Sequence, residues 1–238
     1  MRLIILIVMA LSAQVAFSDS SRTTKGEPQL LDCPNTPNGV IRFALRSDKD
    51  TADLFEWTGR TIHKAASKPL DKEFFSQFKP GSTHVWEYWE FGPTVIGRNP
   101  VSASSILTTP YSLSGDGKLL VAGLQRQSGK IDFEHDVEPQ SIVLLDVATS
   151  KVLSTVDMHQ SIDALSWSPD SPLIAILSNV ERYGKTTPRE RLSAFSGHPI
   201  PYDDITITVI GLDGVPRCSL MAAKSLPYGK GLVRWDAN

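Results

Sequence analysis

The sequence predicts an all-β chain built from a repeated antiparallel unit of about four short strands. Three observations carry this. Ser112-Leu113-Ser114-Gly115-Asp116-Gly117-Lys118-Leu119-Leu120 matches Ser166-Trp167-Ser168-Pro169-Asp170-Ser171-Pro172-Leu173-Ile174 without a gap, 54 residues further on. Each copy joins two apolar runs through a tight polar turn. A second pattern, an apolar strand closed by a turn, recurs at Leu54-Phe55-Glu56-Trp57-Thr58-Gly59, Leu144-Leu145-Asp146-Val147-Ala148-Thr149 and Val209-Ile210-Gly211-Leu212-Asp213-Gly214. Units whose faces stay apolar cannot fold alone and are expected to stack on one another.

The chain opens with Arg2 and an unbroken apolar run, Leu3 to Leu11, followed by small residues at Ala16 and Ser18 and then a polar stretch. This is the pattern of a secretory signal peptide over residues 1–18, and the run is shorter than the roughly 20 residues a spanning helix needs. No Cys follows it, so no lipid anchor is expected. Residues 19–28 read as a flexible polar lead-in, and 29–238 as the folded domain. The expected location is secreted or periplasmic. Such a compartment is oxidising, so the two cysteines, Cys33 and Cys218, are either a disulfide or two separate buried thiols.

Leu30–Cys33, Val40–Leu45, Ala52–Trp57 and Arg60–Ala65 read as four strands of a meander, punctuated by Pro34-Asn35-Thr36-Pro37-Asn38-Gly39 and Thr58-Gly59. Leu70, Phe74, Phe75 and Phe78 share a helical face between Pro69 and Pro80-Gly81, which predicts a short amphipathic helix or an excursion between units. Thr83–Phe91 is an aromatic strand. Its Trp86, Tyr88 and Trp89 serve either as a platform for sugars or peptides or as cover for a core edge. Thr94–Ile96 is its expected hairpin return.

Strands follow at Ser105–Leu113, Lys118–Leu124, Ser141–Val147, Val152–Met158, Ile162–Trp167, Leu173–Ser178, Ile205–Leu212 and Val215–Met221. Val180–Asp204 reads as a long insertion rich in charge, Pro and Gly. Arg182, Tyr183, Arg189, His198 and Tyr202 are its candidate binding residues, because loops on a rigid scaffold carry contacts. Val233-Arg234-Trp235 echoes Leu165-Ser166-Trp167, so the last residues look like the first strand of a further unit.

These turns and strands resemble the WD-repeat and Tol-type β-propeller families, over about Leu30–Ala66 and Ser104–Asn238. The resemblance implies a propeller-like array of four-stranded antiparallel blades. The Gly-His and Trp-Asp pairs of WD repeats do not fall at their places: Gly197-His198 lies in the insertion and Trp235-Asp236 in a first strand. Three units and a fragment fall short of the usual four to eight blades. The array is therefore expected to be incomplete or open, unless the aromatic strand serves as a degenerate fourth blade.

Function is less legible. The net charge of −2 is dispersed, so the electrostatic footprint of a nucleic-acid binder is missing. No nucleophile elbow, phosphate loop, His-Glu-x-x-His or Cys-x-x-Cys motif occurs, and no catalytic residue, metal site or cofactor is assigned. Asp132-Phe133-Glu134-His135-Asp136-Val137-Glu138 offers hard oxygens but lacks calcium-loop spacing, so it reads as a solvated loop. The expectation is a non-catalytic binding or scaffold protein for a protein or small ligand. The alternatives are a propeller-type hydrolase or lyase acting on carbohydrate or peptide, and a fragment that completes its sheet with a partner chain or a second copy.

Overall fold

The computed structural model describes residues 28–33, 38–47, 50–78, 95–98, 105–126, 139–183, 201–227 and 231–237. These form three antiparallel sheets and one short helix, so the chain is all-β. Among the described residues no sheet closes on itself.

Sheet I contains β2 (Val40–Arg46), β3 (Thr51–Thr58) and β4 (Thr61–Pro69), with β14 (Gly231–Asp236) on the near side of β2. Sheet II runs β5 (Val95–Arg98), β6 (Ser105–Leu113), β7 (Leu119–Arg126), β8 (Ser141–Asp146), β9 (Val152–Asp157). Sheet III runs β10 (Ser161–Trp167), β11 (Leu173–Tyr183), β12 (Pro201–Gly211), β13 (Pro216–Pro227), with β1 (Gln29–Asp32) added outside β13.

The repeat seen in the sequence is a repeat of register. Leu113 lies opposite Leu120 in sheet II and Trp167 opposite Ile174 in sheet III. Trp235 lies opposite Ile41 in sheet I. The turns also follow the sequence. Gly39, Gly59, Gly117 and Gly214 all take positive φ, which glycine adopts without steric cost.

Two expectations need correction. Gly231–Asp236 does not begin a further unit; it pairs with β2 from Gly231↔Leu45 to Asp236↔Val40 and supplies the first strand of the unit at the other end of the chain. Leu30–Cys33 does not open a meander with Val40; β1 pairs with β13, Leu30↔Leu220. In both cases a strand found its partner by burying an apolar face against a distant sheet, which sequence proximity does not encode.

Sheet III lies between the other two. Its strand Leu173-Ile174-Ala175-Ile176-Leu177 is apolar throughout because both faces are covered. Ala175 and Leu177 face sheet I, packing with Ile41, Phe43, Trp57, Val233 and Trp235. Ile174 and Ile176 face sheet II, packing with Val121, Ile142 and Leu144. Burying one such leucine or isoleucine stabilises by about 1.5–3 kcal/mol.

The far face of sheet I is covered by α1 (Lys72–Ser76), shorter than the apolar pattern suggested. Asp71 caps it, accepting from Phe74 N at 2.8 Å. Phe74 and Phe78 pack on Ala44, Leu54 and Leu232. The Cys33–Cys218 disulfide joins the end of β1 to β13 across 185 residues. The aromatic segment Thr83–Phe91 lies outside the described residues. β5 pairs with β6, Arg98↔Ile106.

Candidate functional site

The stacked sheets have two unlike ends. One carries tight turns, at residues 59–60, 114–118, 147–151, 168–172 and 212–215. Here Asp carboxylates accept from their own turns. Asp116 accepts from Ser114 Oγ at 2.7 Å and Lys118 N at 3.1 Å. Asp146 accepts from Thr149 N at 2.8 Å, and Asp213 from Val215 N at 3.0 Å. The Ser114 hydroxyl, with the Lys118 backbone N–H and side chain, holds Asp116 down to about 2. Thr149 lowers Asp146, and the Val215 N–H lowers Asp213.

The other end carries the long connections. β7 ends and β8 begins there, Leu124↔Ser141. β11 ends and β12 begins there, Tyr183↔Pro201. β4 also ends there, Thr51↔Pro69, and the connection from β5 to β6 turns there, Arg98↔Ile106, whereas β5 begins further in, Val95↔Thr108. Two stretches singled out in the sequence are thus attached to this end: Asp132–Glu138 and the 180–204 insertion.

Of the candidate binding residues, Trp86, Tyr88, Trp89, Arg189 and His198 lie outside the described residues, as does Asp132–Glu138. Arg182, Tyr183 and Tyr202 are on strands. Residues 180–183 and 201–204 extend the β11–β12 hairpin, with Arg182 opposite Tyr202. Their pairing continues the β11–β12 ladder, so the insertion proper starts after Tyr183.

Just inside this end lies a buried polar cluster that the sequence reading missed. Asp163 is 2% exposed. It accepts from Asn179 Nδ2 at 2.8 Å and from Gly231 N at 3.3 Å. Ser178 Oγ donates to Gln160 Oε1 at 2.7 Å. Asp163 sits where the β10–β11 register shifts. Its carboxylate ties sheet III to the first residue of β14, so both oxygens are engaged in holding two sheets together. Gly231 leaves room at this contact: a Cβ there would lie 2.7 Å from Leu177 Cδ1 and would push that side chain aside. The one signal in the sequence was a lone Asp inside the apolar run Ile162-Asp163-Ala164-Leu165.

A second polar array crosses sheet I in register, Arg234↔Arg42↔Glu56↔His63. Like charges opposite each other repel. Asp236 relieves the arginine pair by contacting Arg42 Nη1 at 2.7 Å and Arg234 Nε. Arg42 Nε also donates to Glu56 at 2.9 Å, and His63 lies 3.2 Å from the same carboxylate. The hydrogen bond from Arg42 holds the Glu56 carboxyl below its usual range. The row is ion-paired with itself.

Among the described residues no group of three or more His, Cys, Asp and Glu is placed to hold a metal, and no helix is long and apolar enough to cross a membrane. Fold and site define an all-β protein of stacked antiparallel sheets, stapled by a long-range disulfide. No family model matches the chain, and no curated protein matches it in sequence. Among solved structures, a chain in the crystal structure of a mitotic checkpoint complex is similar at 12% identity, over 92% of this chain and 60% of that one, with a TM-score of 0.24. At that score the likeness carries no argument.

Proposed function

We propose that the chain is a secreted or periplasmic, propeller-like binding scaffold. Its sheets I to III are the blades, and its ligand is a protein or small molecule held at the long-connection end. One observation carries this reading: the acidic and insertion segments are both attached at that end, whereas among the described residues the opposite end carries short turns whose Asp side chains are satisfied within them. Contact residues concentrate on loops presented by a rigid scaffold. The bridged Cys33–Cys218 pair fits an oxidising compartment.

The test compares the two ends directly. A photo-crosslinking amino acid replaces Arg182, Tyr183 or Tyr202 in one set of variants, and Lys118, Pro172 or Val215 at the turn end in another. Irradiation in the producing cells is expected to give defined adducts from the first set only. Equal labelling from both sets, or labelling confined to the turn end, would refute the reading.

A further inference from the structure

The repeated unit has a direction. In sheet I the row Trp235↔Ile41 belongs to the face that packs on sheet III. In sheet III the row Trp167↔Ile174 belongs to the face that packs on Val121, Ile142 and Leu144 of sheet II. Each unit thus lays the same row on the next. Sheet II has that row too, Leu113↔Leu120↔Leu145↔Val152. It lies on the face turned away from sheet III, where Leu120, Leu145 and Val152 gather with Leu107, Ala122 and Val143. Among the described residues no apolar side chain of another element packs there. The centre of the face is nevertheless shut off from water: Ala122 and Val143 are 0% exposed. Side chains that stand up from a bare sheet face stay open to solvent. The cover stops short of the turn end, since Leu113 and Val147 are 44% and 47% exposed.

We propose that the occupant of this face is the chain's own segment 79–94, in the place that the next unit takes on sheets I and III. Path is the first argument. Phe78, just before the segment, packs on Ala44, Leu54 and Leu232 on the far face of sheet I. Val95, just after it, pairs with Thr108 of sheet II. The segment therefore has to travel from the outer side of one sheet to the other. The stretches 99–104, 127–138 and 184–200 each join two strands that are neighbours in one sheet, β5–β6, β7–β8 and β11–β12. Fully extended, 79–94 reaches about 50 Å, ample for a passage over strands about 4.8 Å apart.

Composition is the second argument. The segment holds Val85, Trp86, Tyr88, Trp89 and Phe91, and an aromatic side chain buries about 150–250 Å². The competing stretch nearest this face, 127–138, brings Asp132, Glu134, Asp136 and Glu138, and unpaired carboxylates are costly on an apolar surface. The aromatic residues of 79–94 then belong to the core of the molecule, and the reading of the long-connection end as a binding site stands or falls separately.

The test places a diazirine-bearing aliphatic amino acid at Leu145 of the full, disulfide-bonded chain and maps the adducts by mass spectrometry after irradiation. Beyond sheet II itself, adducts to residues 79–94 are expected. Adducts confined to another stretch, to a second copy or to solvent would overturn the proposal. Alkylation of one introduced thiol gives a second readout, because both native cysteines are bonded. Val143→Cys should react about 100-fold more slowly than Thr155→Cys, which is exposed. Replacing 79–94 by a Gly/Ser linker of equal length should speed Val143→Cys about tenfold or more and leave Val121→Cys, on the face toward sheet III, slow. Protection of Val143→Cys that survives this replacement, or that is lost on replacing 127–138 instead, would equally overturn it. Should the linker free Val121→Cys as well, the chain has opened and the adduct map decides.

Discussion

Breaking the Cys33–Cys218 bridge tests how the N-terminal strand is integrated into the fold. The bridge closes 185 residues, and for a loop of that size the chain-entropy relation gives about 5 kcal/mol of stabilisation. In a domain of this length 1 kcal/mol corresponds to about 2–4 °C, so loss of the bridge lowers Tm by about 10–20 °C. Cys218 is 2% exposed, and its replacement by Ala adds a cavity cost of about 1 kcal/mol. The comparison is therefore threefold: oxidised parent, reduced parent, and Cys33→Ala/Cys218→Ala. Urea titrations followed by tryptophan fluorescence and by circular dichroism supply the midpoints. The reduced parent should lose most of the 5 kcal/mol, and the double variant about 1 kcal/mol more. The slope m should rise as well, because an uncrosslinked denatured chain exposes more surface. An oxidised and a reduced parent with the same midpoint and the same m would refute the reasoning. In that case β1 detaches from β13 before the rest unfolds, and the bridge restrains only a local piece.

Other outcomes follow from the same structure. Gly39→Ala forces positive φ on a residue with a Cβ and sets that atom 2.6 Å from Asp236 O, so it should destabilise by about 2 kcal/mol or more in the same titration. Asp163→Ala leaves Asn179 Nδ2 and Gly231 N buried without this acceptor and should cost about 3 kcal/mol, whereas Asp163→Asn, which keeps one acceptor oxygen, should cost less. Amide exchange at Gly231 should quicken with that loss. Glu56, Asp116, Asp146 and Asp213 all titrate below their ordinary values of 4.5 for Glu and 3.8 for Asp. Their contribution is present above that range and is lost as pH falls from about 4 through the lowered values, which for Asp116 is about 2. Urea midpoints at pH 6, 4 and 2.5 should fall across the last interval; a constant midpoint would contradict the assignment.

Local pattern made the units legible, and distance hid their assembly. The seven-residue step from Leu113 to Leu120 and from Trp167 to Ile174 was visible because turn and strand are contiguous. The kinship of Trp235 with Trp167 was visible too, but its neighbour Ile41 is almost the whole chain away, and nothing local names it. β1 misled for the same reason: a short apolar strand beside another suggests a hairpin, whereas Leu30 finds cover on sheet III. Charge and proline made 180–204 read as loop from its first residue, although Val180–Tyr183 and Pro201–Asp204 pair with each other. Asp163 escaped notice because one carboxylate in an apolar run looks like a solvent-facing position until a register shift turns it inward.

The partnership of β14 with β2 also sets a timetable. While the chain emerges N-terminus first, Val40–Thr58 has no inner neighbour until residues 231–236 arrive. Ile41, Phe43 and Trp57 end up buried with Trp235 and Val233 as well as sheet III, and lack the β14 part of their cover throughout that interval. Ordering so distant a contact is slow, and exposed strands aggregate while they wait. The inner edge of β2 therefore stays open to wrong partners until β14 is available.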